Sequence, residues 1–245
     1  KLHSFIDFKS SSNIVGRDNI QRVNPEIDEG WLRSTRIQLE SLDGNEETFG
    51  VLGSRGFTLS AEFSGDYLGS DFSFSRYDLN VLYNFNTFFQ RRIFPNTIDM
   101  RLMAGTSTGE LPLQFFGSID GSSGNFTPFG VFKTRRGLPY EGEHYAAVYA
   151  EHNFRTIPFE LLGLNWIVDQ GIGLIAFGGL GQTWISDSRQ QEFTNTNGTF
   201  LFETDGAHAE AGLSINSLFS IARLDFAKRL DTTGFYVGFS VARWF

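Results

Sequence analysis

Apolar and polar residues alternate along almost the whole chain, and the alternation is cleanest at its end. Over 234–245, Phe235, Val237, Phe239, Val241 and Phe245 fall on one face, interrupted only by Arg243, while Tyr236, Gly238, Ser240, Ala242 and Trp244 fall on the other. A period of two is the signature of a strand. A strand greasy on one side, small or polar on the other and ending on an aromatic residue suits the closing strand of a membrane β-barrel. In lipid every backbone polar group must find a partner, so such a strand implies a closed sheet around it. The alternative for this segment is the last strand of a soluble sandwich.

The same rhythm predicts ten strands, over 2–9, 31–41, 55–64, 72–86, 97–107, 143–154, 172–186, 207–216, 219–229 and 234–245. In the third, Phe57, Leu59, Ala61 and Phe63 alternate with Thr58, Ser60, Glu62 and Ser64. The fourth sets Tyr77, Leu79, Val81, Tyr83 and Phe85 against Arg76, Asp78, Asn80 and Asn84. Ten such strands with no intervening helix point to one large antiparallel sheet closed into a transmembrane β-barrel, with the charged face lining a wet lumen. If the last strand ends on the periplasmic side, 10–30, 108–142 and 187–206 become long outer loops. The connections 87–96 and 155–171 are then inner, and longer than the short turns expected there.

Composition narrows the class. The 245 residues include 27 Phe and 27 Gly but no Cys, which removes disulfides and thiolate metal sites. No apolar run approaches the roughly 18 residues of a spanning helix. The net charge of −8, without a basic stripe, argues against nucleic acid as a partner. No leader precedes Lys1, so any secretory signal is expected upstream or already removed.

Catalytic chemistry finds little footing. Gly105-Thr106-Ser107-Thr108-Gly109 fits the nucleophile-elbow pattern but leaves a strand for a long loop, without the helix that the elbow needs. The histidines His3, His144, His152 and His208 are not spaced as metal ligands; His208 and Glu210 share one face, expected to be the lumen. The sequons at Asn125 and Asn197 read as ordinary loop residues. The expectation is a protein that is not an enzyme and needs no cofactor.

The segment 108–142 is too long for a decorative loop. It carries Leu111-Pro112-Leu113-Gln114-Phe115-Phe116-Gly117 and Phe132-Lys133-Thr134-Arg135-Arg136-Gly137-Leu138-Pro139. After it come a strand from His144 to Phe154, then Phe177-Gly178-Gly179-Leu180-Gly181, then Ala222-Arg223-Leu224-Asp225-Phe226-Ala227. In this order, with the terminal Phe245, these segments resemble the C-terminal half of the bacterial surface antigen, or BamA-like, superfamily of outer-membrane barrels, which has a branch common in Bacteroidota. The resemblance covers roughly residues 30–245.

It implies a sixteen-stranded barrel of which ten strands are visible, with 108–142 as an outer loop folded back into the lumen. The Val-Arg-Gly-Phe-like tip of that loop is matched by Arg135, Arg136, Gly137 and Leu138, and Arg136 takes the place of the lumen-inserted arginine. Its family partners are a glutamate, matched by Glu151, and an aspartate in a Phe-x-Asp-x-Gly motif. There Phe177 and Gly181 match but Gly179 stands where the aspartate should be. That departure weakens the clamp or moves it to another lumen acid such as Asp225 or Glu210. The bland alternative is a solvated basic patch of Lys133, Arg135 and Arg136. The resemblance further implies an assembly or translocation factor in the bacterial outer membrane. Its partners would be outer-membrane lipid, nascent outer-membrane proteins and periplasmic or lipoprotein accessory subunits. The seam would lie at the last strand, where Gly234 and Gly238 weaken pairing and Phe245 ends it. The other reading is a passive pore or surface receptor whose lumen charges, Arg36, Glu62, Arg76 and Asp78, set selectivity.

Overall fold

The computed structural model describes residues 28–43, 55–88, 96–119, 129–134, 140–195, 203–218 and 221–241. Its main body is one antiparallel sheet built from β1 (Ser34–Asp43), β2 (Arg55–Ser64), β3 (Phe74–Asn86) and β4 (Thr97–Gly109) on one side. A two-stranded hairpin follows, β5 (Gly117–Ile119) with β6 (Tyr140–Gly142). The sheet resumes at β7 (His144–Arg155) and continues after the short helices α1 (Ile157–Leu161) and α2 (Asn165–Asp169) with β8 (Gly173–Trp184). Helix α3 (Asp187–Asn195) leads to β9 (His208–Leu218), β10 (Ala222–Arg229) and β11 (Phe235–Val241). In the order β1-β2-β3-β4-β7-β8-β9-β10-β11 every neighbouring pair is consecutive along the chain except β4 and β7, between which the β5–β6 pair is inserted. Sequential pairing keeps loop closure short.

Nine of the ten predicted strands are present, eight of them within about three residues of their expected ends; 55–64 matches β2 at both ends, and the expected end of the last strand, at 245, lies outside the described residues. The tenth, 2–9, lies outside the described residues. Two expectations need correction. Connections expected to be free of helix hold α1, α2 and α3. The 105–109 segment does not leave the strand: it stays in β4 to its last pair, Phe74 with Gly109. Among the described residues the sheet is open, with β1 and β11 as its edges.

The two faces differ as the alternation requires. On one, Phe57, Leu59, Tyr77, Met100, Leu102, Leu180, Leu213, Phe235 and Phe239 are exposed. The other buries Ser60, Asp99, Glu151, His208, Glu210, Ser214, Arg223 and Asp225. This inverts a water-soluble sheet, whose apolar side is the buried one.

The buried polar face is the inside of a curl. Glu151 pairs with Phe177, Phe177 with Gly212, and Gly212 with Ala227, four residues along β10 from Arg223. In a flat sheet three strand spacings and four residues of rise would put Glu151 and Arg223 roughly 19 Å apart at their Cα atoms. Side chains standing upright cannot close that gap. They meet at 2.8 Å, so the sheet bends strongly around this face.

Candidate functional site

Five strands and one loop segment meet inside the curl. Arg223, with none of its surface exposed, stands on β10. Its two terminal nitrogens donate to the two carboxylate oxygens of Glu151 on β7 at 3.0 and 2.8 Å. Its Nε donates to Asp225 at 2.6 Å, and Nη2 also reaches the Ser214 hydroxyl at 2.9 Å. Above the guanidinium lies the ring of Phe177, 5.6 Å to its centroid. A planar fork is held this way only by acceptors in its own plane, which two carboxylates supply. Asp225 accepts two more bonds, from Ser214 and from Ser240 on β11, each 2.6 Å.

The loop segment 129–134 docks onto this cluster. Phe132 is fully buried and Lys133 is 4% exposed. The Lys133 ammonium lies 3.6 Å from Asp225. Burial, with the Arg223 charge next in weight, holds the Lys133 pKa below its ordinary value, against the pull of Asp225 and Glu151. Glu210 takes the backbone N–H groups of Lys133 and Thr134 at 2.6 and 2.9 Å, and the Thr134 hydroxyl at 2.6 Å. His208, buried two residues before Glu210, completes the seat. Its Nδ1 lies 3.0 Å from the Tyr140 hydroxyl and its Nε2 3.2 Å from the Thr134 hydroxyl.

The ring of Phe132 lies between His208, at 4.3 Å, and Tyr149, at 4.9 Å. Its floor is glycine. A Cβ on Gly179 or on Gly181 would come within 2.9 Å of the Phe132 ring. The missing aspartate of the expected motif therefore has a physical counterpart: the room at position 179 is occupied by the loop's own aromatic ring.

Of the site residues expected from sequence, Glu151, Phe177, Gly179, Gly181 and Asp225 converge here. Arg135, Arg136, Gly137 and Leu138 lie outside the described residues, as does Phe245. The buried Lys133 does not belong to a solvated patch. Gly234 lies outside β11, in the turn before it, where its carbonyl accepts from the Arg229 N–H. Gly238 sits within the strand opposite Asp225, and a Cβ there would run into the Tyr236 ring.

Sequence reasoning missed Arg223 as the centre of the cluster. The signal was present as two i, i+2 pairs, Arg223 with Asp225 and His208 with Glu210, each placing charge on the face opposite apolar residues. No group of histidine and acid residues among the described residues is arranged to hold a metal ion. No protein-family model matches the chain, and no curated protein matches it.

In this cluster the carboxylates of Glu151, Asp225 and Glu210 accept from Arg223, Lys133 and Thr134, which fixes their positions. What the cluster fixes is the loop segment inside the curl.

Proposed function

We propose that the curled sheet is a stretch of the wall of an outer-membrane β-barrel, and that the protein is a non-enzymatic assembly or translocation factor of the BamA-like type. The observation that carries the reading is the buried docking of 129–134 on the concave polar face. A passive pore needs a free, wetted lumen. Here the inner face from β7 to β10 is filled by an aromatic ring, a lysine and their seat. The outward band of exposed apolar side chains fits hydrocarbon, where it would otherwise be a large exposed patch in water.

The working parts are then the plug and the edge strand. β11 is the last strand of the sheet among the described residues, and a terminal strand that opens can template an incoming strand by backbone pairing. Nascent outer-membrane proteins are the clients, with periplasmic or lipoprotein subunits delivering them. No cofactor enters.

A surface receptor is the second reading. It is favoured by a polar pocket of about 660 Å³ at the far end of β4, β7 and β8, lined by residues including Asp28, Asp71, Glu143, His144 and Arg189.

The deciding experiment reconstitutes the native polypeptide in lipid vesicles with an unfolded barrel client and a photo-crosslinker on β11. Faster client insertion with crosslinks to β11 is expected. A steady ionic conductance with neither effect would overturn the reading in favour of a pore.

A further inference from the structure

Among the described residues, the connection between β7 and β8 holds three exposed large apolar side chains close together. Leu161 is 80% exposed, Leu162 72% and Trp166 67%. The hairpin that carries them has a fixed shape. Thr156 bonds Glu160 at 2.6 Å, the Leu164 N–H reaches the Phe159 carbonyl at 2.9 Å, and Gly163 and Gly171 close the two turns with φ near 70°. Ile157 is buried beneath. Three large apolar side chains are therefore held outward by an ordered scaffold, which water alone gives no reason to do.

We propose that this hairpin lies in the plane of the membrane interface and anchors the inner rim of the barrel to lipid; the inference rests on the barrel reading above. β7 and β8 each run 12 residues. Tilted by about 40°, such strands rise roughly 30 Å, enough to cross the apolar band and end at its boundary. The hairpin begins where β7 ends. The outward face there already carries a ring stack, Phe88 on His152 at 5.6 Å and His152 on Phe154 at 4.0 Å. Trp166 and the two leucines extend that aromatic and aliphatic rim beyond the strand ends. Tryptophan has an apolar ring and one N–H donor, and settles at the headgroup level for that reason.

Charge selects the lipid. Over 157–172 only Glu160 and Asp169 are charged. Without a cation, the surface has no attraction for anionic headgroups and suits a neutral, zwitterionic monolayer.

The test reads depth by fluorescence quenching with the full chain in phosphatidylcholine vesicles. Trp166 is left as sole tryptophan by W31F, W184F and W244F. A companion retains only Trp184, on the outward face of β8. Lipids brominated near the headgroup should lower Trp166 emission at least about twofold, and lipids brominated deep in the chains much less. Because the chain has no cysteine, Leu162→Cys carries a single environment-sensitive fluorophore as an independent reporter, expected to shift to the blue on vesicle binding. If Trp184 is quenched by brominated lipid while Trp166 is not, the anchor is wrong and the barrel stands. If neither is quenched, both fall. Shielding of Trp166 from lipid and from aqueous acrylamide together would mean that a protein partner covers the hairpin, and would also overturn the proposal.

Discussion

Arg223 and Glu151, 72 residues apart, meet through two parallel N–H···O bonds of 3.0 and 2.8 Å across three strand boundaries. The pair ties β7 to β10 over the strands between them, so it reports the curl of the sheet as well as the seat of the loop. Removing Glu151 leaves the buried guanidinium with Asp225 and Ser214 but without its bidentate acceptor, and breaking a buried ion pair from one side is the costly way to do it.

Glu151→Ala should therefore destabilise the folded protein by about 3–5 kcal/mol and expose 129–134 to protease. Glu151→Gln keeps an acceptor oxygen and should cost less. Denaturant unfolding in detergent, paired with limited trypsin digestion at Lys133, checks both. Unchanged protease resistance of the loop in Glu151→Ala would sink the idea that the cluster seats it.

Gly179→Ala tests the floor under the loop. The new methyl group would stand 2.9 Å from the Phe132 ring, so the ring must lift or the loop must leave. Faster cleavage at Lys133 is expected, with the strands intact by circular dichroism. Adding Phe132→Ala relieves the clash but empties the seat. The double variant should regain little protection, because burial of the ring itself supplies roughly 1.5–3 kcal/mol of the docking.

Much of the sheet was legible because a half-buried strand writes its period into the sequence. Phe57, Leu59, Ala61 and Phe63 could face only one way, and the register of β2 against β3 follows from them. The cluster was harder to see. That Glu151 meets Arg223 depends on how far the sheet bends, which no local pattern encodes. Gly179 read as a lost acid because its meaning lies in the ring above it. The helices α1 and α2, five residues each, are too short to show a helical period.

The lowered pKa of Lys133 has a sign that can be measured. Burial, the largest cause, makes the docked lysine shed its proton more readily than the released one. The released state therefore binds more protons between the docked pKa and 10.5, the ordinary value, and docking strengthens as pH rises through that window. Below the docked pKa both states are protonated and the dependence vanishes. Digestion by a protease active across that range should show growing protection of 129–134 toward high pH. In Lys133→Met the slope should disappear, and a slope that survives would assign the effect to another group.

The last prediction concerns coupling between the loop and the sheet edge. Asp225 accepts from Ser240 on β11 at 2.6 Å and faces the Lys133 ammonium at 3.6 Å. One carboxylate thus touches both the docked loop and the edge strand. Ser240→Ala removes a bond to a charged acceptor, a loss of about 1.5–3 kcal/mol. It should speed amide exchange in β11 while leaving the β7–β8 pairing unchanged. Lys133→Met should disturb the same carboxylate from the other side. Residues that share a partner do not contribute additively. The double variant should therefore differ from the sum of the singles by more than about 0.5 kcal/mol in the opening of β11. Strict additivity would mean that loop and edge respond independently. Non-additivity would make withdrawal of the loop and loosening of β11 a single event, as a plug that must clear before an edge can accept a client requires.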